Sequence, residues 1–347
     1  MKPQNPAIAL FLQPLLQLRT RCKFTQSALR NMLAGVCLPI ALVFVAGCNP
    51  PAPIPEPAQT PLDQPGSYKI GTYDTSFSTT HGNNAATVYY PATAAGANTT
   101  PNASGAPYPI VAVSPGLGSN KEWNKWIGQH LSTHGYIVLV LSVPNGFDPS
   151  TVQQQDGLVG ALDKLTSENG NASSRIYSLA DVGKRVVIGH SLGAMGSLAV
   201  AGRNGIDLDA VIALAPGAVS TTALNNITAP TQIQSASEDC ITRPAAAQTA
   251  YNNVGAAFKQ IFFVTGGNHV GFNDEGSLAE TGGDFLIDCD NTVDVTDVQQ
   301  RLSRRFMTAW LNYFVKGQAQ YATYISGAQA QADVTAGHIN DLQTQGL

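Results

Sequence analysis

Lys184-Arg185-Val186-Val187-Ile188-Gly189-His190-Ser191-Leu192-Gly193-Ala194 is the stretch that decides how this chain folds. An apolar, β-branched run enters Gly-x-Ser-x-Gly, and a helix-forming stretch follows over residues 192–203. Strand, sharp turn and helix in that order make a nucleophile elbow. The turn is so tight that the residues two before and two after the serine must be small, and Gly189 and Gly193 meet that demand. The turn pushes the Ser191 hydroxyl out at the top of a sheet. The helix start beneath it offers backbone N–H groups to a developing oxyanion. Without the strand and the helix, the same five residues would read as an inert glycine-rich turn.

Working outward, apolar β-branched runs alternate with helical stretches. Strands are predicted at 67–72, 86–90, 109–114, 136–142, 184–189, 210–215, 231–235 and 260–265. Helices are predicted at 121–133, after a loop within 149–168, at 192–203, between the last two strands, and at 295–316. Continuous apolar strands separated by helices argue for a mainly parallel central sheet with helices on both faces, an α/β fold. In the last helix Leu302, Phe306, Trp310 and Phe314 recur every four residues. That spacing makes one apolar stripe, which should pack on the sheet. Residues 92–106 read as a loop, and 318–347 form a tail without a readable pattern. Only about fifteen residues separate the strand ending at Ala215 from the one starting at Thr231, so no cap domain fits between them.

A serine is a poor nucleophile without a base. In a fold with this elbow, acid and base follow the serine in that order, each on a loop after a later strand. His81 precedes the core strands, His130 lies in a helix, His134 in a strand-entry turn and His338 in the tail. His190 is beside the nucleophile and should lie near the site without being the base. His269 follows the last predicted strand and is the expected base. The expected acid is Asp239, which would orient His269 and stabilise its imidazolium; Glu238 is the alternative. The aspartates at 284, 288, 290, 294 and 297 come after the histidine and break the order. They also lack the glycine and the spacing of an EF-hand, so no metal site is expected there. The oxyanion hole is expected from the backbone N–H groups of Leu117 and Leu192. Gly116 and Gly118 would let their loop approach the substrate closely.

The N-terminal part of the chain speaks for export. Arg19, Arg21, Lys23 and Arg30 precede an apolar stretch over 32–46, too short for a spanning helix. It ends in Val45-Ala46-Gly47-Cys48, which resembles the lipobox of bacterial lipoproteins. That resemblance implies cleavage before Cys48, lipidation of its thiol and anchoring to the membrane through the lipid. A plain signal peptide and a retained membrane helix are the alternatives, and Met32 is an alternative start. Asn49 carries no Asp-type retention signal, which favours the outer membrane over the inner. A Pro-rich linker follows to residue 65. The organisation expected is thus a signal at 1–47, lipidated Cys and linker at 48–66, a catalytic domain at 67–317 and a tail at 318–347. Of the five cysteines, Cys22 and Cys37 leave with the signal and Cys48 is lipidated. Cys240 and Cys289 remain as an even pair in an oxidising compartment and are expected to form a disulfide, with two free thiols as the alternative. The net charge of −4 comes without any basic run, which excludes a nucleic-acid partner.

From about residue 110 to 314 the chain resembles the secreted polyesterase–cutinase branch of the α/β-hydrolases, related to dienelactone hydrolases and platelet-activating-factor acetylhydrolases. The matching segments are SPGLGSN at 114–120, HLSTHGYIVL at 130–139, GHSLGAMGSL at 189–198, ALAPG at 213–217, EDCITRP at 238–244 and GGNHVGF at 266–272. The resemblance implies hydrolysis of carboxylic esters through an acyl-enzyme, without a cofactor, with Ser191, Asp239 and His269 as the triad. Where the polyester-degrading members carry aromatics, this chain has Leu117 and the segment Gly217-Ala218-Val219, and Ala194 stands where a further glycine would follow Gly193. With no lid, extended acyl esters or polymer chains would reach Ser191. The rival readings are an acyltransferase or peptidase with the same triad, and a non-catalytic binding lipoprotein.

Overall fold

The computed structural model describes residues 61–274 and 296–347. All of them fall in the compact unit Pro57–Leu347. Cys48, Cys289, the signal, most of the linker and the aspartates at 284, 288, 290 and 294 lie outside the described residues.

A ten-stranded sheet organises the described residues. Its strands are β1 (Lys69–Thr79), β2 (Gly82–Ala92), β3 (Gly96–Ala97), β4 (Tyr108–Ser114), β5 (Ile137–Ser142), β6 (Ala180–His190), β7 (Ala210–Leu214), β8 (Thr231–Ala236), β9 (Lys259–Val264) and β10 (Ile339–Gln345). Their order is β10-β9-β8-β7-β6-β4-β5-β2-β1-β3. The run from β5 through β4, β6, β7 and β8 to β9 is parallel throughout. The hairpin β1–β2 joins it antiparallel through β2 and β5, and β10 pairs antiparallel with β9 at the other edge.

The helices are α1 (Lys125–Thr133), α2 (Thr151–Asn169), α3 (Leu192–Ala201), α4 (Thr221–Asn225), α5 (Pro244–Asn253), α6 (Thr296–Phe314) and α7 (Ala328–Thr335). The central strands are buried on both faces, as their unbroken apolar runs require. Side chains alternate across each strand. Ile110, Ala112 and Val187 enter a core shared with Leu158 and Leu162 of α2, Leu198 of α3 and Tyr251 of α5. Val111, Val113, Val186 and Ile188 enter the opposite core, with Trp126 and Leu131 of α1 and Met307 and Trp310 of α6. The helices therefore cover both faces.

The predicted stripe on α6 packs as its spacing requires. Leu302, Phe306 and Trp310 are fully buried, while Phe314 is half-buried at the helix end. Burying one such side chain contributes about 2–3 kcal/mol. Three differences from the sequence reading have physical causes. The predicted helix at 121–133 begins as a 3₁₀ turn (Lys121–Asn124), capped by the Asn120 side chain accepting from Glu122 N–H. The strand predicted at 67–72 runs on to Thr79, paired residue for residue with β2. The stretch after Gly317 forms a 3₁₀ turn (Ala319–Tyr324), α7 and β10. Only α4 intervenes between β7 and β8, so no cap domain is inserted between these two strands.

Candidate active site

The elbow forms where β6 meets α3. β6 and β4 are in register with Gly189 beside Ser114, so the elbow and the loop after β4 emerge side by side. Ser191 adopts φ 54° and ψ −118°, a region that L-residues rarely occupy and that over-determined functional turns retain. Its N–H donates to the Leu214 carbonyl at 2.9 Å, and its carbonyl accepts from Met195 N–H at 3.0 Å. The two glycines are sterically compulsory. A Cβ on Gly189 would stand 2.1 Å from the Gly193 carbonyl oxygen, and one on Gly193 would stand 2.3 Å from that of Ser114.

The loop after β4 lies against the serine: a Cβ on Gly116 would come within 3.0 Å of Ser191 Cβ. Gly118 sits at φ 71° and its N–H donates to the Gly146 carbonyl at 2.6 Å. The N–H groups of Leu117 and Leu192 have no protein acceptor among the described residues. Leu192 opens α3, where backbone N–H groups are free by the geometry of a helix start. The Leu117 side chain is half exposed.

Asp239 and His269 come from the loops after β8 and β9 and meet directly. Nδ1 of His269 lies 2.8 Å from Oδ2 of Asp239. Oδ1 of Asp239 accepts from the N–H groups of Ile241 and Thr242 at 2.9 and 2.8 Å. Burial alone would raise this carboxyl. The hydrogen bond and charge of His269, together with the N–H and hydroxyl of Thr242, outweigh burial and hold it below the usual carboxylate range. Glu238 is exposed and bonded to its neighbour Ser237, so geometry selects Asp239 as the partner of His269.

Three contributors leave no mark in the sequence. The Thr242 hydroxyl lies 2.9 Å from Asp239 Oδ2, 3.1 Å from His269 Nδ1 and 3.0 Å from the Ala215 carbonyl. Gln299 of α6 clamps the histidine loop, donating to the Asn268 carbonyl at 2.8 Å and accepting from Asn268 N–H at 3.1 Å. Ser114 donates to Gln154 of α2 beneath the oxyanion loop. An isolated threonine, or a glutamine thirty residues away, has no spacing that signals such a role.

His190 lies near the site, as expected of a neighbour of the nucleophile. Its ring centroid is 4.9 Å from that of His269, and Nε2 lies 3.1 Å from the His269 carbonyl oxygen. Burial, and then the charge of His269, push it down to about 3. The remaining histidines stand apart from this centre. His130 bonds to Thr308 at 2.8 Å and His134 to the Gln64 carbonyl at 3.0 Å. His81 pairs with Asp156, and His338 with Asp333. Beside α3 runs a cavity of about 550 Å³, lined by Thr151, Met195, Ala199, Arg203, Val219 and Ser220 among others.

A buried carboxylate–imidazole pair and a strained serine, each on a loop that follows a strand of one parallel sheet, fit an α/β-hydrolase of carboxylic esters. The chain belongs to the PET hydrolase-like family, whose model matches residues 46–343. It is 24% identical to a cutinase of Thermobifida fusca (strain YX), with 88% of this chain and 91% of that protein covered. It is 25% identical to cutinase 1 of Thermobifida cellulosilytica, covering 80% and 91%. It is 27% identical to a bis(hydroxyethyl) terephthalate hydrolase of Streptomyces coelicolor (strain ATCC BAA-471 / A3(2) / M145), covering 54% and 59%.

Proposed function

We propose that this enzyme hydrolyses acyl esters and polyesters through an acyl-enzyme on Ser191. The observation that carries the reading is the strained Ser191 turn, whose neighbour His190 packs its ring 4.9 Å from that of His269 in the buried Asp239–His269 pair. Ser191 Oγ attacks the ester carbonyl carbon while His269 Nε2 takes its proton. The carbonyl oxygen becomes an oxyanion, which accepts from Leu117 and Leu192 N–H. The oxyanion collapses, the C–O bond to the alcohol breaks, and His269 returns the proton to the departing oxygen. Water then repeats the sequence on the acyl-enzyme: His269 takes its proton, the acid leaves, and Ser191 regains its hydrogen. Asp239 keeps Nδ1–H pointed at itself and supports the imidazolium in both halves. Relatives named as cutinases and as a bis(hydroxyethyl) terephthalate hydrolase support an ester within an oligomer or polymer as substrate.

The test is a p-nitrophenyl ester series, from acetate to palmitate, on the soluble domain beginning near Ser67 and on its Ser191→Ala twin. Activity in the twin should fall by about 1,000-fold or more. Equal activity in the two proteins would sink the reading.

We also propose that the enzyme is exported and held to the membrane by a lipid on Cys48. The apolar run before Cys48 and the Pro-rich stretch after it support this. Metabolic labelling with an alkynyl fatty acid should mark the full chain and not Cys48→Ser; label retained in that variant would refute the anchor. The same compartment suits the Cys240–Cys289 disulfide that the even pair of remaining cysteines suggests. Peptide mapping without reduction should recover the two cysteines linked.

A further inference from the structure

His190 closes β6 and is 2% exposed, so it does not reach a substrate directly. Yet it touches both halves of the catalytic apparatus. Its Nε2 lies 3.1 Å from the backbone carbonyl of His269. Its ring packs on those of His269 and Phe272, with centroids at 4.9 and 6.0 Å. On its other side, Nδ1 lies 3.4 Å from where a Gly116 Cβ would stand, in the loop that presents Leu117 N–H. Nδ1 is buried and has no partner among the described residues.

These contacts fix the proton. A carbonyl oxygen offers only lone pairs, so Nε2 must carry the hydrogen and donate. A hydrogen on Nδ1 would be a buried donor without an acceptor, and Nε2 would then set its lone pair against the carbonyl. A proton on both nitrogens would place a cation 4.9 Å from the imidazole that must itself become cationic. His269 and Asp239 are the titratable groups that act on this ring.

We propose that His190 is a positioning residue: its Nε2–H, donated to the His269 carbonyl, sets the orientation of the base toward Ser191. This rests on His269 being the base. The restraint is on the backbone of residue 269, which the Asp239 bond to the ring leaves free. A misplacement of the order of 1 Å at a reacting group can cost about a hundredfold in rate.

The test joins kinetics with spectroscopy. His190→Phe keeps a ring but removes the donor, and His190→Gln restores an N–H near the Nε2 position. With p-nitrophenyl butyrate, His190→Phe is expected to lower kcat by about 10–100-fold with KM within about twofold. His190→Gln should return kcat to within about threefold of the parent. In the unaltered protein, histidine ¹⁵N resonances should show His190 neutral and protonated on Nε2 from pH 5 to 9. Wild-type kcat in His190→Phe would overturn the proposal, as would equal losses in two variants of matched melting temperature. So would a His190 that is charged or protonated on Nδ1. If His190→Phe does not fold, the glutamine variant and the resonances decide. Full activity in Ser191→Ala would sink the serine mechanism itself and leave the His190 tautomer result standing.

Discussion

At the scale of single residues, the site is a problem of holding charge and protons in place. Asp239 is bonded by two backbone N–H groups, a hydroxyl and an imidazole. Replacing it by Asn leaves the geometry but removes the charge that supports the imidazolium. Asp239→Asn is expected to lower kcat by about 10⁴-fold at neutral pH with little change in melting temperature. Thr242→Val should keep the backbone bonds to Asp239 and lose only the hydroxyl, lowering kcat by about tenfold. Steady-state kinetics beside thermal melts check both.

Stability against acid follows from the same residues with a definite sign. The Asp239 carboxyl is held low in the fold, so its contribution is complete above the usual carboxylate range and is lost as pH falls through its folded value. His190, held down to about 3, and His130, also lowered by burial, are neutral in the fold but take up protons when unfolded below about pH 6.5. Stability should therefore fall progressively as pH drops from 6.5 toward 3. Urea midpoints should show that slope in the parent protein and a shallower one in His190→Phe. The elbow motif and the chain order single out Ser191, Asp239 and His269, and the fold brings the last two into contact. Thr242 and Gln299 were not legible in the sequence, because each acts through contacts that only the folded loops create.

At the scale of elements, the elbow is a steric device before it is a chemical one. Gly189→Ala would drive a methyl into the Gly193 backbone at 2.1 Å. It is expected to destabilise the fold by about 3 kcal/mol or more, read from denaturant midpoints. Gly205→Ala is the control: φ is 78° but nothing stands within 4 Å, so only the left-handed backbone is disfavoured, by about 1 kcal/mol. The cavity beside α3 begins one turn from Ser191, at Met195. Ala199→Phe should fill it and lower activity on decanoyl and longer esters while sparing acetate; equal losses across the series would dissociate that cavity from the acyl chain. Element types were readable because strand runs and helical stripes carry different periods. The far half of β1 was not. Lys69–Thr79 alternates small polar residues with half-buried ones, and the pairing with β2 holds it as a strand.

At the scale of the whole molecule, the C-terminal residues finish the sheet. β10 pairs with β9, and Ile339 joins Phe262, Val264, Leu302, Phe306 and Ala330 in a core of their own. Arg305 of α6 pairs with the buried Asp333 of α7 and ties this segment down. A chain ending at Gly317 would expose that core and leave β9 as an open edge. It is expected to melt well below the full chain and to aggregate, as light scattering would show. The sequence hides this strand because INDLQTQ is mostly polar and only its inward residues are apolar. An edge strand with one wet face needs no more. The parallel core, by contrast, announces itself in residues buried on both sides.

The proposed oxyanion donor at position 117 is a main-chain atom, and the leucine attached to it points half into solvent at the rim of the site. Catalysis there is written in the backbone, and the side chain is a free letter. A saturation library at this one codon can therefore explore aromatic, aliphatic and charged rims against many substrates without erasing the turnover it is screened for.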